Sequence, residues 1–300
     1  MIRPHYLILL VILSNLSPII GYSQDQTKSF FGFEYPGEIP QVFAPGVVST
    51  EDFFEFSNAF TSDGTKFHFA RRIDQKDVIM VMKFNDNRLV SPEIDTFFQK
   101  YSGFEPHFSH DSRLYFTRFA PPPSGLDDTK DLSPRDMEAQ MVNIWVSKKE
   151  KYGWGEPQFC VNGMYVTTAV NGTLYTSDIR EQTEGICRYE IVDDKYSLGE
   201  HIALDPDLQS PGTHPCIAPD ESFLIFDSKV SQNSNNSDLF ITFQLSNNTW
   251  SEAFNLGIPI NTEGTEMAAA LSPDGKYLFY HSNGDIYWVD INIINKFRPK

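Results

Sequence analysis

Five acidic or basic side chains stand at recurring distances ahead of a short repeated turn. Glu55 and Glu266 each lie eight residues before an acid, Asp63 and Asp274. Glu105 and His214 each lie six residues before Asp111 and Asp220, and His107 follows Glu105 by two. Carboxylates and imidazoles gathered about one point could hold a divalent cation or supply a general acid and base. A carboxylate pair at the right separation could cleave a glycosidic bond. The plainer arrangement is a polar lining satisfied by water, with His107 and His214 bonded to backbone carbonyls beside Pro106 and Pro215. His68, His110 and His281 fall in or beside hairpin strands and read as structural or exposed.

Other chemical signatures are missing. The chain has no Gly-x-Ser-x-Gly, no His-Glu-x-x-His, no phosphate loop and no EF-type calcium loop. Asp127-Asp128 and Asp205-Pro206-Asp207 read as solvated loop acids. Cys160, Cys187 and Cys216 sit in or beside apolar runs at spacings that match no zinc pattern, and read as small buried hydrophobes rather than a bridge. No cofactor or metal is called for. Asn171, Asn235 and Asn247 begin Asn-x-Ser/Thr sequons, with Asn171 in a turn.

The elements that must position these residues are repeated. "NAFTSDGTKFHFA" from Asn58, "PHFSHDSRLYFT" from Pro106, "PCIAPDESFLIF" from Pro215 and "AALSPDGKYLFY" from Ala269 share one layout, with a weaker copy, "YVTTAVNGTLYT", from Tyr165. Their turns fall at Asp63, Asp111, Asn171, Asp220 and Asp274. Asp-Gly and Asn-Gly between apolar runs signal a hairpin, so these residues read as turn formers, not catalysts. A third strand follows each hairpin: Asp77-VIMVMKF, Asn143-IWVSK, Gly185-ICRYEI, Asp238-LFITFQ and Asp285-IYWVDI. A more polar fourth segment comes next, around Leu89-Val90, Trp154 to Phe159, His201 to Leu204, and Trp250 to Leu256.

Turn-to-turn intervals of 48, 60, 49 and 54 residues suit four-stranded propeller blades. The long interval holds an inserted loop over 120–141, in which Ser133-Pro134 reads as the cap and first residue of a short helix. Runs such as "KYLFY" are apolar on both faces, and radial stacking covers both. The expectation is therefore an all-β propeller of five four-stranded blades; a sixth would need a turn motif that the sequence lacks. The last blade ends one strand short, and Pro40 to Val48 is expected to supply it and close the ring. The repeated offsets then place the five side chains around one axis, at a channel mouth.

Composition bounds the function. The formal charge of −16 leaves no basic run for nucleic acid. Arg3 and His5, the run Tyr6-LILLVIL and the small residues Gly21 and Ser23 make a secretory leader over 1–23, with a lead-in over 24–39 and one domain over 40–300. Asn15 and Pro18 break the apolar run too early for a stable span, so no membrane span is expected after leader removal. The implied place is the periplasm or the exterior.

Ser272-Pro273-Asp274-Gly275-Lys276 with Asp285-Ile286-Tyr287 resembles the WD40-like repeat, often called PD40, of TolB-type β-propellers of exported bacterial proteins. Thr61-Ser62-Asp63-Gly64 and Ala218-Pro219-Asp220 are similar but imperfect copies. The lead-in "FAPGVVSTEDFFEFSNAF" is similar too. The resemblance implies a propeller that serves as a binding scaffold or assembly partner, and less often as an enzyme. Sialidase Asp-boxes are excluded because Gly follows Asp directly, with no Thr-Trp after it. The expected function is a monomeric, exported, non-enzymatic propeller that binds an envelope protein, peptide or glycan. Its recognition surfaces would be the channel mouth and the 120–141 loop, with Trp154 near that face. The alternatives are a carbohydrate-active hydrolase or lyase using Glu55, Glu105 and Glu266, and a subunit of an outer-envelope assembly.

Overall fold

A computed structural model describes residues 29–299 except 31–32, 86–87, 126–131, 194, 198, 206, 232–233 and 246–248. The expected leader, the pair Asp127-Asp128 and the sequon at Asn247 lie outside the described residues. Among the described residues, no helix is long and apolar enough to cross a membrane.

Each repeat folds into one antiparallel sheet, and five sheets form a β-propeller. Blade 1 comprises Phe54–Phe60, Lys66–Ile73, Lys76–Asn85 and Glu93–Ile94. Blade 2 comprises Gly103–Phe108, Arg113–Phe119, Val142–Glu150 and Gln158–Asn162. Blade 3 comprises Met164–Thr168, Leu174–Asp178, Gly185–Tyr189 and Glu200–His201. Blade 4 comprises Thr213–Ile217, Phe223–Lys229, Ser237–Phe243 and Phe254–Asn255. Blade 5 comprises Glu266–Leu271, Tyr277–Ser282 and Asp285–Asp290, and takes its outer strand from Gln41–Val42, with Tyr287 opposite Val42 and Trp288 opposite Gln41. The N-terminal segment thus closes the ring.

The apolar faces meet between blades in five clusters. Ala59, Ala70 and Ile79 face Phe108, Leu114 and Phe116 between blades 1 and 2. Tyr115 and Ile144 face Val166 and Leu174 between blades 2 and 3. Tyr175 and Ile186 meet Ile217, Leu224 and Phe226, and Ile225, Leu239 and Ile241 meet Ala269, Leu278 and Val289. The closing cluster packs Phe279 and Trp288 of blade 5 against Phe67, Phe69 and Met82 of blade 1, with Phe43 wedged between them.

The hairpin turns share one geometry. In every blade the residue after the turn acid or amide donates its N–H back three residues, as Gly64 does to Thr61 O at 2.8 Å and Gly275 to Ser272 O at 2.8 Å. That residue is left-handed in all five: Gly64, Ser112, Gly172, Glu221 and Gly275. This is the turn that ends in a left-handed residue and a bulge, and it demands positive φ at one position only. The side chain ahead of it holds the loop. Asp63 accepts from the Thr65 N–H at 3.0 Å, Asn171 from Thr173 at 2.9 Å, Asp220 from Ser222 at 3.0 Å and Asp274 from Lys276 at 3.2 Å. Asp111 accepts from the Ser109 hydroxyl and pairs with Arg113 at 2.8 Å.

Three outer strands fall elsewhere than expected; in blade 2 it is Gln158–Asn162 rather than 154–159, with Gly153–Trp154 folding back on Lys149 and Glu150. Arg88–Leu89 folds back on Phe84 and Asn85, and the outer strand of blade 1 is Glu93–Ile94, opposite Val81 and Met80. The Asp95 N–H extends that pairing to Ile79 O at 2.9 Å, and its side chain caps helix α1 (Thr96–Tyr101). In blade 3 the outer strand is Glu200–His201 rather than 201–204. Inside the insertion, helix α2 (Pro134–Met141) starts at Ser133, whose hydroxyl accepts from the Asp136 N–H at 3.1 Å.

Candidate functional site: the central channel

Each innermost strand carries a bulge where it nears the axis, six residues before the turn. Ser57, Glu105, Tyr165, His214 and Ala268 all take left-handed backbone there, with φ between 46° and 53°. The offset shared by Glu105 and His214 is therefore a bulge position, which turns successive N–H groups and side chains toward the channel. Three of the bulge N–H groups are taken up by side chains of the preceding blade. Tyr165 N–H donates to Thr117 Oγ1 at 3.0 Å and Glu105 Oε2 at 3.1 Å. His214 N–H donates to Ser177 Oγ at 2.9 Å, and Ala268 N–H to Asp227 Oδ1 at 3.1 Å.

The side chains complete this belt. Glu105 also accepts from Thr117 Oγ1 at 2.8 Å. Burial raises its carboxyl above the usual range, against the pull of the His214 charge. His214 Nδ1 contacts both Asp227 oxygens, at 2.9 and 3.0 Å. Burial alone would push this imidazole down, but the Asp227 charge and hydrogen bond, with Glu105 behind them, hold it up at about 9. Tyr165 lies edge-on to His214, with ring centres 4.9 Å apart, and its hydroxyl donates to Ala269 O at 2.8 Å. A side chain of blade 3 thus reaches blade 5 across the middle of the ring. Beyond it, toward the hairpin turns, residues of all five blades, among them Phe60, His107, Thr167, Cys216 and Leu271, enclose about 90 Å³.

The other three candidates stand apart. His107 Nε2 accepts from the Thr168 N–H at 3.1 Å and meets its hydroxyl at 2.9 Å, linking blades 2 and 3; burial holds it neutral, near 3. Glu55 and Glu266 play matched roles on the inter-blade loops. Glu55 accepts from the Thr50 hydroxyl and N–H, at 2.8 and 3.3 Å, and from Arg71 Nε at 2.8 Å. Burial raises its carboxyl, although Thr50 and Arg71 act the other way. Glu266 accepts from the Thr262 hydroxyl at 2.7 Å and N–H at 3.1 Å, and from Ser282 Oγ at 2.7 Å. The equal offset reflects an equal anchoring job, not a shared reaction centre. Among the described residues, none of the five belongs to a group of three whose ligand atoms approach within 4.8 Å.

Sequence reasoning missed Asp227 and Tyr165. The signal for Asp227 was a charge inside the apolar run Phe223–Lys229, since a buried carboxylate must find partners. Asn58, next to the bulge of blade 1, was missed too; it is buried, and among the described residues neither of its side-chain amide atoms has a hydrogen-bond partner.

The cysteines are all free, with Cys187 and Cys216 buried and Cys160 half-buried. Burial pushes Cys160 and Cys216 up to about 12. His281 is buried on Glu55 O at 2.9 Å, His68 is buried against Asp95 at 3.2 Å, and His110 is exposed.

The rim differs at its two ends. The strand 2 to strand 3 loops and the inter-blade loops share one face. It carries the insertion and the exposed side chains of Phe53, Phe54, Phe119 and Met137. Arg72 lies over Phe54 at 5.2 Å, and Arg118 over Trp145 at 5.0 Å. Beneath α2, Asp136, Gln140, Asp178 and Arg180 help to line a cavity of about 350 Å³. Trp154 is not on this face. It lies on the strand 3 to strand 4 connection, at the opposite end of blade 2, and packs on Phe108 with ring centres 5.8 Å apart.

No protein-family profile and no curated protein matches the chain. Solved structures do. A thermostable family-43 glycoside hydrolase aligns over 85% of this chain and 91% of its own, at 11% identity and TM-score 0.48. The gluconolactonase XC5397 from Xanthomonas campestris aligns over 85% and 96%, at 13% identity and TM-score 0.44. TolB from Acinetobacter baumannii aligns over 78% of this chain, at 13% identity and TM-score 0.45; the match spans 53% of that chain.

Proposed function

We propose that this protein is an exported, non-enzymatic binding propeller of PD40 type. It works as a monomer in the periplasm or outside the cell, holding an envelope protein, peptide or glycan on the face that carries the channel mouth and the 120–141 insertion. Residues 1–23 are its leader and 40–300 its propeller domain. The observation that supports this reading most is how the channel acids are employed. Glu55, Asp227 and Glu266 each accept three hydrogen bonds from protein groups, and buried Glu105 accepts two. Tyr165 bridges blades 3 and 5 inside the ring, its hydroxyl donating to Ala269 O. Hydrolysis by Glu55, Glu105 and Glu266 would need these acids free and facing one bond. The insertion face instead offers the materials of recognition: exposed aromatics beside arginines.

The test is capture from an envelope extract by the purified protein, compared with a variant lacking 122–140 and carrying Phe54→Ala and Phe119→Ala. Partners retained by the first and lost by the second are the expected result. Retention of every partner by the variant, or turnover of any member of a polysaccharide panel, would overturn the reading.

A further inference from the structure

Blade 3 holds a second cluster, away from the axis. Asp178 ends its second strand, Cys187 lies in the third, and His201 lies in the short outer strand directly opposite Cys187. The Cys187 thiol stands 3.2 Å from His201 Nε2, which is 3.3 Å from Asp178 Oδ2. All three atoms lie within 4.8 Å of one another. We propose that Asp178, Cys187 and His201 form a divalent-metal site, selective for zinc, that clips the outer strand of blade 3 to its neighbours.

Hydrogen bonding serves this arrangement poorly. One ring nitrogen faces both the sulfur and the carboxylate. With its proton on Nε2, that proton is shared between two acceptors. With the proton on Nδ1, the Cys187 S–H can donate to Nε2, but the Nε2 lone pair then confronts the Asp178 oxygen. A cation removes the conflict, because sulfur, nitrogen and oxygen then all present lone pairs to it. Tetrahedral zinc, with its usual bond lengths, separates such ligand atoms by about 3.4–3.6 Å, close to the spacings seen. The donor set argues for the ion: thiolate and imidazole favour zinc over magnesium or calcium, which take oxygen ligands.

The surroundings suit such an ion. Cys187 and His201 line a groove of about 730 Å³ between blades 2 and 3, which leaves the fourth position for water or an incoming ligand. Asp178 is held by Arg180 and by the Thr183 hydroxyl at 2.8 Å. Arg180 donates to both carboxylate oxygens, Nη2 to the Oδ2 that faces His201 and Nε to Oδ1 at 2.9 Å; its half-exposed side chain would give up Oδ2 to the metal and either swing out or stay on Oδ1 as an orienting partner. On binding, the Cys187 thiol loses its proton to solvent and a metal–sulfur bond forms. Because the thiol must give up its proton to bind, affinity should rise with pH. The clip has a purpose, because the short strand Glu200–His201 is held to the blade by that pair and one further backbone bond, from the Ile202 N–H to Ile186 O at 2.9 Å.

Chelator-treated full-length protein is titrated with zinc by calorimetry and with cobalt by absorbance. Expected are one equivalent bound, a thiolate-to-cobalt charge-transfer band, and a higher Tm with zinc. Cys187→Ser and His201→Asn should each lose at least tenfold in affinity, while Cys160→Ala binds as the parent does. Circular dichroism shows whether each variant is folded, and the cobalt band reports sulfur ligation even where affinity is lost. Absence of stoichiometric binding would overturn the proposal. So would a cobalt complex without the sulfur band, or parental affinity in both folded ligand variants.

Discussion

Ser112 and Glu221 occupy the left-handed turn position that glycine fills in the other three hairpins. A side chain there carries a steric cost that glycine avoids. Ser112→Gly should therefore raise stability, by up to about 1 kcal/mol in urea unfolding. Glu221→Gly should do the reverse, because Glu221 accepts from the Tyr175 hydroxyl and from Asn171 Nδ2 at 2.7 Å. Losing both bonds and leaving the buried tyrosine O–H without an acceptor, although its oxygen still accepts from Arg188 Nε, costs about 1–3 kcal/mol. His214 makes a second prediction at this scale. Its folded-state value of about 9 lies above the unfolded value of about 6.5. Its contribution is thus fully present below about pH 6.5 and lost as pH rises through 9. Ring-proton shifts of His214 should titrate near 9 in NMR spectra, and Asp227→Asn should bring that midpoint down and flatten the alkaline loss of stability.

The outer strand of blade 5 is the element on which closure depends. Its ladder is short, two paired residues continued by the Phe43 N–H to Ile286 O at 2.7 Å, yet the Phe43 side chain is fully buried, with ring centres 5.0 Å from Phe67, 5.1 Å from Phe279 and 5.5 Å from Trp288. Side-chain packing between first and last blades, more than the backbone ladder, holds the strand. Phe43→Ala should cost about 3–5 kcal/mol, measured by denaturant midpoint, since it empties the centre of that cluster. The inner-strand bulges are the other decisive elements. Those of blades 3, 4 and 5 set an N–H group toward the preceding blade, where Thr117, Ser177 and Asp227 of the second strands answer it.

As a whole molecule the ring is a chain of similar blades, each buried against two neighbours. A closed ring couples all five interfaces, whereas an open one leaves two faces wet. The full chain should unfold in one transition with calorimetric and van't Hoff enthalpies in agreement. A shortened chain beginning at Glu51 lacks Phe43 and Val48. It should melt at lower temperature with a van't Hoff enthalpy below the calorimetric one, by differential scanning calorimetry.

Much of this architecture was legible in the residues. Asp-Gly and Asn-Gly turns between two-sided apolar runs force hairpins that must stack, and their regular spacing counts the blades. The missing outer strand of the last blade, set against the spare segment Pro40 to Val48, even foretold the closure. These features are local or periodic, so one dimension suffices to record them. The company that Glu55, Glu105, His107, His214 and Glu266 keep was not recorded there. Equal offsets say that side chains share a height, but not whether they meet. Their partners come from other blades and from loops, Asp227 and Tyr165 among them, and only closing the ring brings those groups within hydrogen-bond range. For the same reason the spacings of Cys187 and His201 look like nothing in the sequence, and become neighbours once two strands pair.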